Sequence, residues 1–179
     1  MKTKVLYAAL LFLPLLFTSC KKENINEFKT GKVELRLMND TSYCAFEEVN
    51  IDIRSVEVQI AGSTGGDWYK LNSNAGIYNL VGLGNTNFAI IAGQEIPTGE
   101  ITAVKLKLGS QNSVRKNGVL YDVSFTPEDE AGLQAEVFAM VDPSTLKLRI
   151  DFSAGQSIHE DASHGTFQLK PVLKAYRTN

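Results

Sequence analysis

From residue 31 onward, hydrophobic and polar positions alternate in short runs broken by turn residues. In "KVELRLM" (32–38), Val33, Leu35 and Leu37 share one face while Glu34 and Arg36 occupy the other. That period of two predicts a half-buried strand, because successive side chains point to opposite faces. Residues 49–60 alternate again, with Val49, Ile51 and Ile53 followed by Val56, Val58 and Ile60. The phase slips at Arg54-Ser55, and a slip would turn the buried face outward unless a bulge or bend absorbs it. "AGSTGGD" (61–67) is a turn cluster, and short strands at 68–71 and 77–81 flank a second turn, "NSNAG". The stretch 86–92, "TNFAIIA", is read as one or two helical turns.

A turn at "EIPTGE" (95–100) leads into 102–108, where Val104, Leu106 and Leu108 oppose Lys105 and Lys107. Within 114–123, Asn117-Gly118 is a strong hairpin signal, because both turn positions need positive φ. Runs at 133–141 and 145–152, joined by an Asp142-Pro143-Ser144 turn, and a final run at 166–177 complete the series. Nine or ten short strands with no amphipathic helix predict an all-β protein, an antiparallel β-sandwich. No fixed-period repeat is visible.

The first residues follow another logic. Lys2 and Lys4 precede an uncharged, mostly apolar run from Val5 to Phe17. It falls short of the about 20 apolar residues that a membrane-crossing helix needs, and fits the core of a cleaved leader. Leu16-Phe17-Thr18-Ser19-Cys20 resembles the bacterial lipobox. That resemblance implies cleavage between Ser19 and Cys20 and lipid on the Cys20 thiol and new amino terminus. Two or three acyl chains, at about 0.8 kcal/mol per buried CH₂, would hold such an anchor stably. The expected organisation is a signal peptide at 1–19, a tether at 20–30 and one domain at 31–177. The expected location is the outer membrane, lipid-anchored, on its periplasmic face or at the cell surface. Lys22-Glu23 partly resembles a surface-export tag.

Composition narrows the partners. With 44% hydrophobic and 21% charged residues, the chain of 179 residues is that of a folded protein. Its net charge of −2, without a basic cluster, argues against nucleic acid. Cys20 and Cys44 cannot build a disulfide framework, and Cys44 is expected as a small buried apolar residue.

Candidate chemistry is sparse. His159, Glu160, Asp161 and His164 gather in "SIHEDASHG", but the histidines are five apart in a loop, unlike a helical zinc motif. Glu128, Asp129 and Glu130 follow a proline without the alternating oxygens of a calcium loop. Both segments are read as solvated turns, so neither metal nor cofactor is expected. Asp151 alternates with Ile150 and Phe152 and is expected to face away from them, bound to Arg149 or a backbone turn. Nucleophile-elbow, phosphate-loop and Cys–His signatures are absent, so catalysis is not expected. Trp68, Tyr69, Tyr78, Tyr121 and Tyr176 lie on strands or their ends, as core filling or as platforms for a sugar.

"GKVELRLMND", "VNIDIRSVEVQ", "IPTGEITAVKLKL", "LKLRIDFSAGQSI" and "FQLKPVL", following a lipoprotein leader, together resemble the bacterial family called domain of unknown function 4382. Asn39-Asp40-Thr41 departs from its usual Asp-Ala-Pro. The resemblance implies a prealbumin-like or immunoglobulin-like sandwich on an exported protein, and no established activity. The leading expectation is a non-catalytic binding or structural module of the cell envelope, with a glycan or envelope protein as partner. The alternative is a pilus-type accessory subunit that pairs by strand addition, although Pro171 would blunt the last strand. A hydrolase is the remaining reading.

Overall fold

A computed structural model describes residues 29–40, 43–62, 67–84, 86–125 and 133–178. Ser19 and Cys20, the leader and the Glu128-Asp129-Glu130 turn lie outside the described residues. Among the described residues there are thirteen strands in two sheets. The smaller sheet contains β1 (Thr30–Asn39), β5 (Ala89–Pro97), β10 (Thr145–Phe152) and β13 (Leu173–Thr178), in the order β13-β10-β1-β5. The larger is built on β2 (Glu48–Ile60), with β6 (Gly99–Leu108) and β9 (Leu133–Val141) towards one end. Towards the other end run β7 (Ser113–Lys116), β8 (Val119–Ser124), β12 (Thr166–Leu169) and β11 (Ile158–Asp161). β3 (Asp67–Lys70) and β4 (Gly76–Asn79) also pair with β2.

The alternating residues enter one shared core. Val33, Leu35 and Leu37 of β1 join Val49, Ile51, Ile53, Val56 and Val58 of β2, all fully buried. The phase slip is a real irregularity: the pairing of β2 with β6 shifts between Ile53 and Ser55, which returns Val56 to the inner face. Asn117 and Gly118 turn the β7–β8 hairpin at φ 51° and 76°, as Asn-Gly requires.

The purely antiparallel arrangement is corrected, because both sheets are mixed. β1 runs parallel to β10, and β12 runs parallel to β8. Alternation specifies which face is buried but not the direction of a neighbouring strand. That direction follows from how the chain changes sheets. Pro97 ends β5 before β6, Pro143 separates β9 from β10, and Pro171 separates β12 from β13. Each of these steps carries the chain from one sheet to the other. Without an N–H, proline cannot extend a ladder, so strands end where the chain must cross. Residues 166–177 are therefore two strands in different sheets, not one.

The helical reading of 86–92 is also corrected. β5 begins at Ala89, and Ile91 and Ala92 are buried where β5 pairs with β1. A short apolar run cannot be told from a buried strand by periodicity, and pairing decided it. Helical geometry appears instead as single turns at Leu80–Gly82 and at α1 (Ala154–Ser157).

Candidate binding face

β2 carries its inward residues, Ile51 and Ile53, beside an outward one that is equally hidden. Asp52 is 1% exposed on the outer side of the larger sheet. Its Oδ2 accepts hydrogen bonds from Arg54 Nη2 at 2.6 Å and from the Gln111 backbone N–H at 3.2 Å. The Asp52 backbone N–H donates to Asn112 Oδ1 at 2.9 Å, and Asn112 Nδ2 donates to the Gly109 carbonyl at 2.7 Å. A Cβ on Gly109 would lie 2.1 Å from the Asp52 carboxylate, so only glycine permits this approach. The loop between β6 and β7 is thereby fastened to the middle of β2.

That loop forms one wall of an open groove of about 780 Å³. Its floor is the outer surface of the sheet, where cross-strand register sets side chains in rows. One row runs Asn79–Asn50–Ser113–Asp122 across β4, β2, β7 and β8, and its Ser113 and Asp122 line the groove. A second runs Ser124–Gln168–His159 across β8, β12 and β11. Asn50 Nδ2 lies 3.3 Å from Ser113 Oγ, and Ser124 Oγ donates to the Phe167 carbonyl at 3.3 Å. Leu120 and Ile77 are half-exposed along the groove, and Tyr121 packs on Phe167 with ring centroids 5.0 Å apart. A second depression of about 330 Å³, reaching His159 and Glu160, shares Ser124, Thr166 and Phe167 with the first.

The histidine segment lies at the end of this face without the geometry of catalysis. Asp161 Oδ2 and Ser163 Oγ both meet the same ring nitrogen, Nδ1 of His164, at 2.8 Å. A relay needs the acid and the nucleophile on opposite ring nitrogens. Hydrogen bonds from Ser163 first, and then His164, hold the Asp161 carboxyl below the ordinary carboxylate range. Glu160 pairs with Lys116 across the strands. Among the described residues no group of three or more His, Cys, Asp or Glu side chains could hold a metal.

The remaining candidates scatter. Asp151 pairs with Arg149 on the smaller sheet, one of the two partners expected for it. Trp68 has Lys105 Nζ 3.8 Å from its ring centroid, so the protein's own cation occupies one face. Tyr69 packs half-buried against the core, and Tyr78, whose hydroxyl donates to the Asn74 carbonyl, has its pKa raised by burial. Tyr176 is exposed on edge strand β13. Cys44 is a free thiol, half-buried against the core rather than fully within it. Of the five aromatics, the structure brings only Tyr121 to the groove.

A family model described as "Domain of unknown function (DUF4382)" matches residues 30–171. The chain belongs to this family. The matched stretch of the DUF4382 domain runs from the start of β1 through β12 and includes every strand that floors the groove. No curated protein and no solved structure matches the chain. Among the described residues no helix is long and apolar enough to cross a membrane.

Sequence reasoning missed Asp52, Asn112, Ser113, Asp122 and Ser124 as members of one face. Each is an ordinary polar residue of an alternating strand or turn. Only the phase of the alternation marked Asp52, Asp122 and Ser124 as outward, and nothing in it joined β8 to β12.

Proposed function

We propose that this DUF4382 protein is a non-catalytic binding or structural module of the cell envelope. In this reading Cys20 carries lipid after cleavage of residues 1–19, and a tether through residue 30 holds the domain at the outer membrane. The two sheets around one core are read as a β-sandwich of prealbumin-like or immunoglobulin-like type. The observation that carries the reading is the open groove over the outer surface of β7, β8 and β12, lined by short polar side chains together with Ile77, Leu120 and Tyr121. Its size falls within the range of about 300–1,000 Å³ common for ligand sites. The shared nitrogen of His164 favours binding over hydrolysis.

Strand addition, the pilus-type alternative, has less support. The outer edge of β5 is covered by the segment between β3 and β4, through Asn74 N to Ile91 O at 2.8 Å and Gly93 N to Asn72 O at 3.1 Å. β11 ends the larger sheet with exposed Glu160 and Asp161, charges that discourage pairing.

Hydrogen exchange of the full chain in detergent, with and without whole envelope extract, tests the binding face. Protection of peptides covering 110–124 and 165–168 is expected; protection elsewhere, or none, refutes it. Mass spectrometry of the amino terminus tests the anchor, with acylated Cys20 expected in the wild type and uncleaved leader in Cys20→Ala.

A further inference from the structure

Resting on the groove as the binding face, we propose that its ligand is an extended, neutral glycan. The side chains lining the two depressions offer hydroxyls, an amide and a carboxylate, namely Ser113, Asp122, Ser124, Thr166 and Gln168. A sugar ring presents hydroxyls at its edge and C–H groups on its faces. The polar rows match the first, and the exposed aliphatic side chains of Ile77 and Leu120 match the second.

Charge selects among glycans and against other partners. Neither depression is lined by lysine or arginine, while Asp122, Glu160 and Asp161 line them. The Asp122 side chain is exposed and has no hydrogen bond or ion pair among the described residues. An anionic polymer would meet the Asp122 carboxylate without a compensating cation, whereas Glu160 is paired with Lys116 and Asp161 is hydrogen-bonded to His164. Protein partners are held mostly by aromatic or arginine anchors in well-packed pockets, whereas this groove is open and mixes polar side chains with the aliphatic Ile77 and Leu120.

Length follows from continuity. The two depressions share Ser124, Thr166 and Phe167, so the face runs from Ile77 on β4 to His159 on β11. A ligand that uses all of it is a chain of sugar rings lying across the strands.

Native affinity electrophoresis of the full chain in detergent tests this with galactomannan, xyloglucan and hydroxyethylcellulose as neutral polymers and polygalacturonate as the anionic one. At least one neutral polymer is expected to retard the protein, and polygalacturonate is not. Asp122→Ala should weaken retardation about tenfold, the effect of one lost charge-assisted hydrogen bond. Ser113→Trp, which fills the groove, should abolish it. Gln168→Ala gives a gentler test should the tryptophan disturb folding, with severalfold weakening expected. Phe138→Ala, changing a side chain outside both depressions, should bind as wild type. The proposal is overturned if no neutral polymer retards the protein, if polygalacturonate does so equally, or if the groove variants bind unchanged. Exchange protection by envelope extract at 110–124 without binding to any neutral polymer would overturn the glycan but leave the binding face. Absence of both would overturn both.

Discussion

The outer surface of the larger sheet has two ends built on the same alternating pattern, and they use it differently. Around β3, β2 and β6 the outward residues are long and charged and satisfy one another. Glu57 lies 3.8 Å from Lys105 Nζ and 3.5 Å from Lys107 Nζ, while Lys105 also covers Trp68. Around β7, β8 and β12 most outward residues, among them Ser113, Asp122, Ser124 and Thr166, are short and line the groove, with Arg115 the exception, paired with Glu48 at 2.9 Å. A surface whose polar groups are already paired has little to offer a ligand. The short-chain end, whose Asp122 carboxylate lines the groove, is the one that can recognise something.

Asp52 stands at the boundary between these ends, and its loss should have the largest effect. Asp52→Ala removes the acceptor for Arg54 and Gln111 and loosens the loop that walls the groove. A loss of about 2 kcal/mol is expected in urea denaturation, since buried partners are left unsatisfied but Arg54 can still reach water. Gly118→Ala, at φ 76° in the β7–β8 hairpin, should cost about 1 kcal/mol by the same measurement.

At the charged end, Lys105→Ala should cost about 1 kcal/mol, between the scales of exposed and desolvated cation–π contacts, because its side chain is largely buried. It should also change the fluorescence of Trp68, the single tryptophan, whereas Lys107→Ala should leave it unchanged. The smallest effect belongs to Asp161. Its carboxyl is held low in the folded state, so its contribution is present above the ordinary value of about 3.9 and fades as pH falls through the folded pKa. Asp161→Asn should therefore melt slightly below wild type near neutrality, with the gap closing below about pH 4.

Strand faces were legible from residue order because burial imposes a period of two. Val33, Leu35 and Leu37, Ile51 and Ile53, and Val56, Val58 and Ile60 point inward as their phase requires. The bulge at Arg54-Ser55 and the Asn117-Gly118 turn were legible for equally local reasons, one a phase error and the other a demand for positive φ. β5 was misread because its first residues, packed against β1, show no local signal that separates strand from helix.

The groove was illegible for a different reason. Its two rows draw on β2, β4, β7, β8, β11 and β12, which span residues 48 to 169. No local rule makes β12 lie parallel to β8, or places Asn112 beneath Asp52. The prolines show the division most plainly. Pro97, Pro143 and Pro171 announced where ladders must stop, because a missing N–H is a local property. That all three would carry the chain from one sheet to the other was decided by the shared core, which brings the inner faces of both sheets together. Sequence alone determined the all-β character, the buried faces and the turns. Tertiary packing chose the neighbours and directions of the strands, and with them the face that is left to bind.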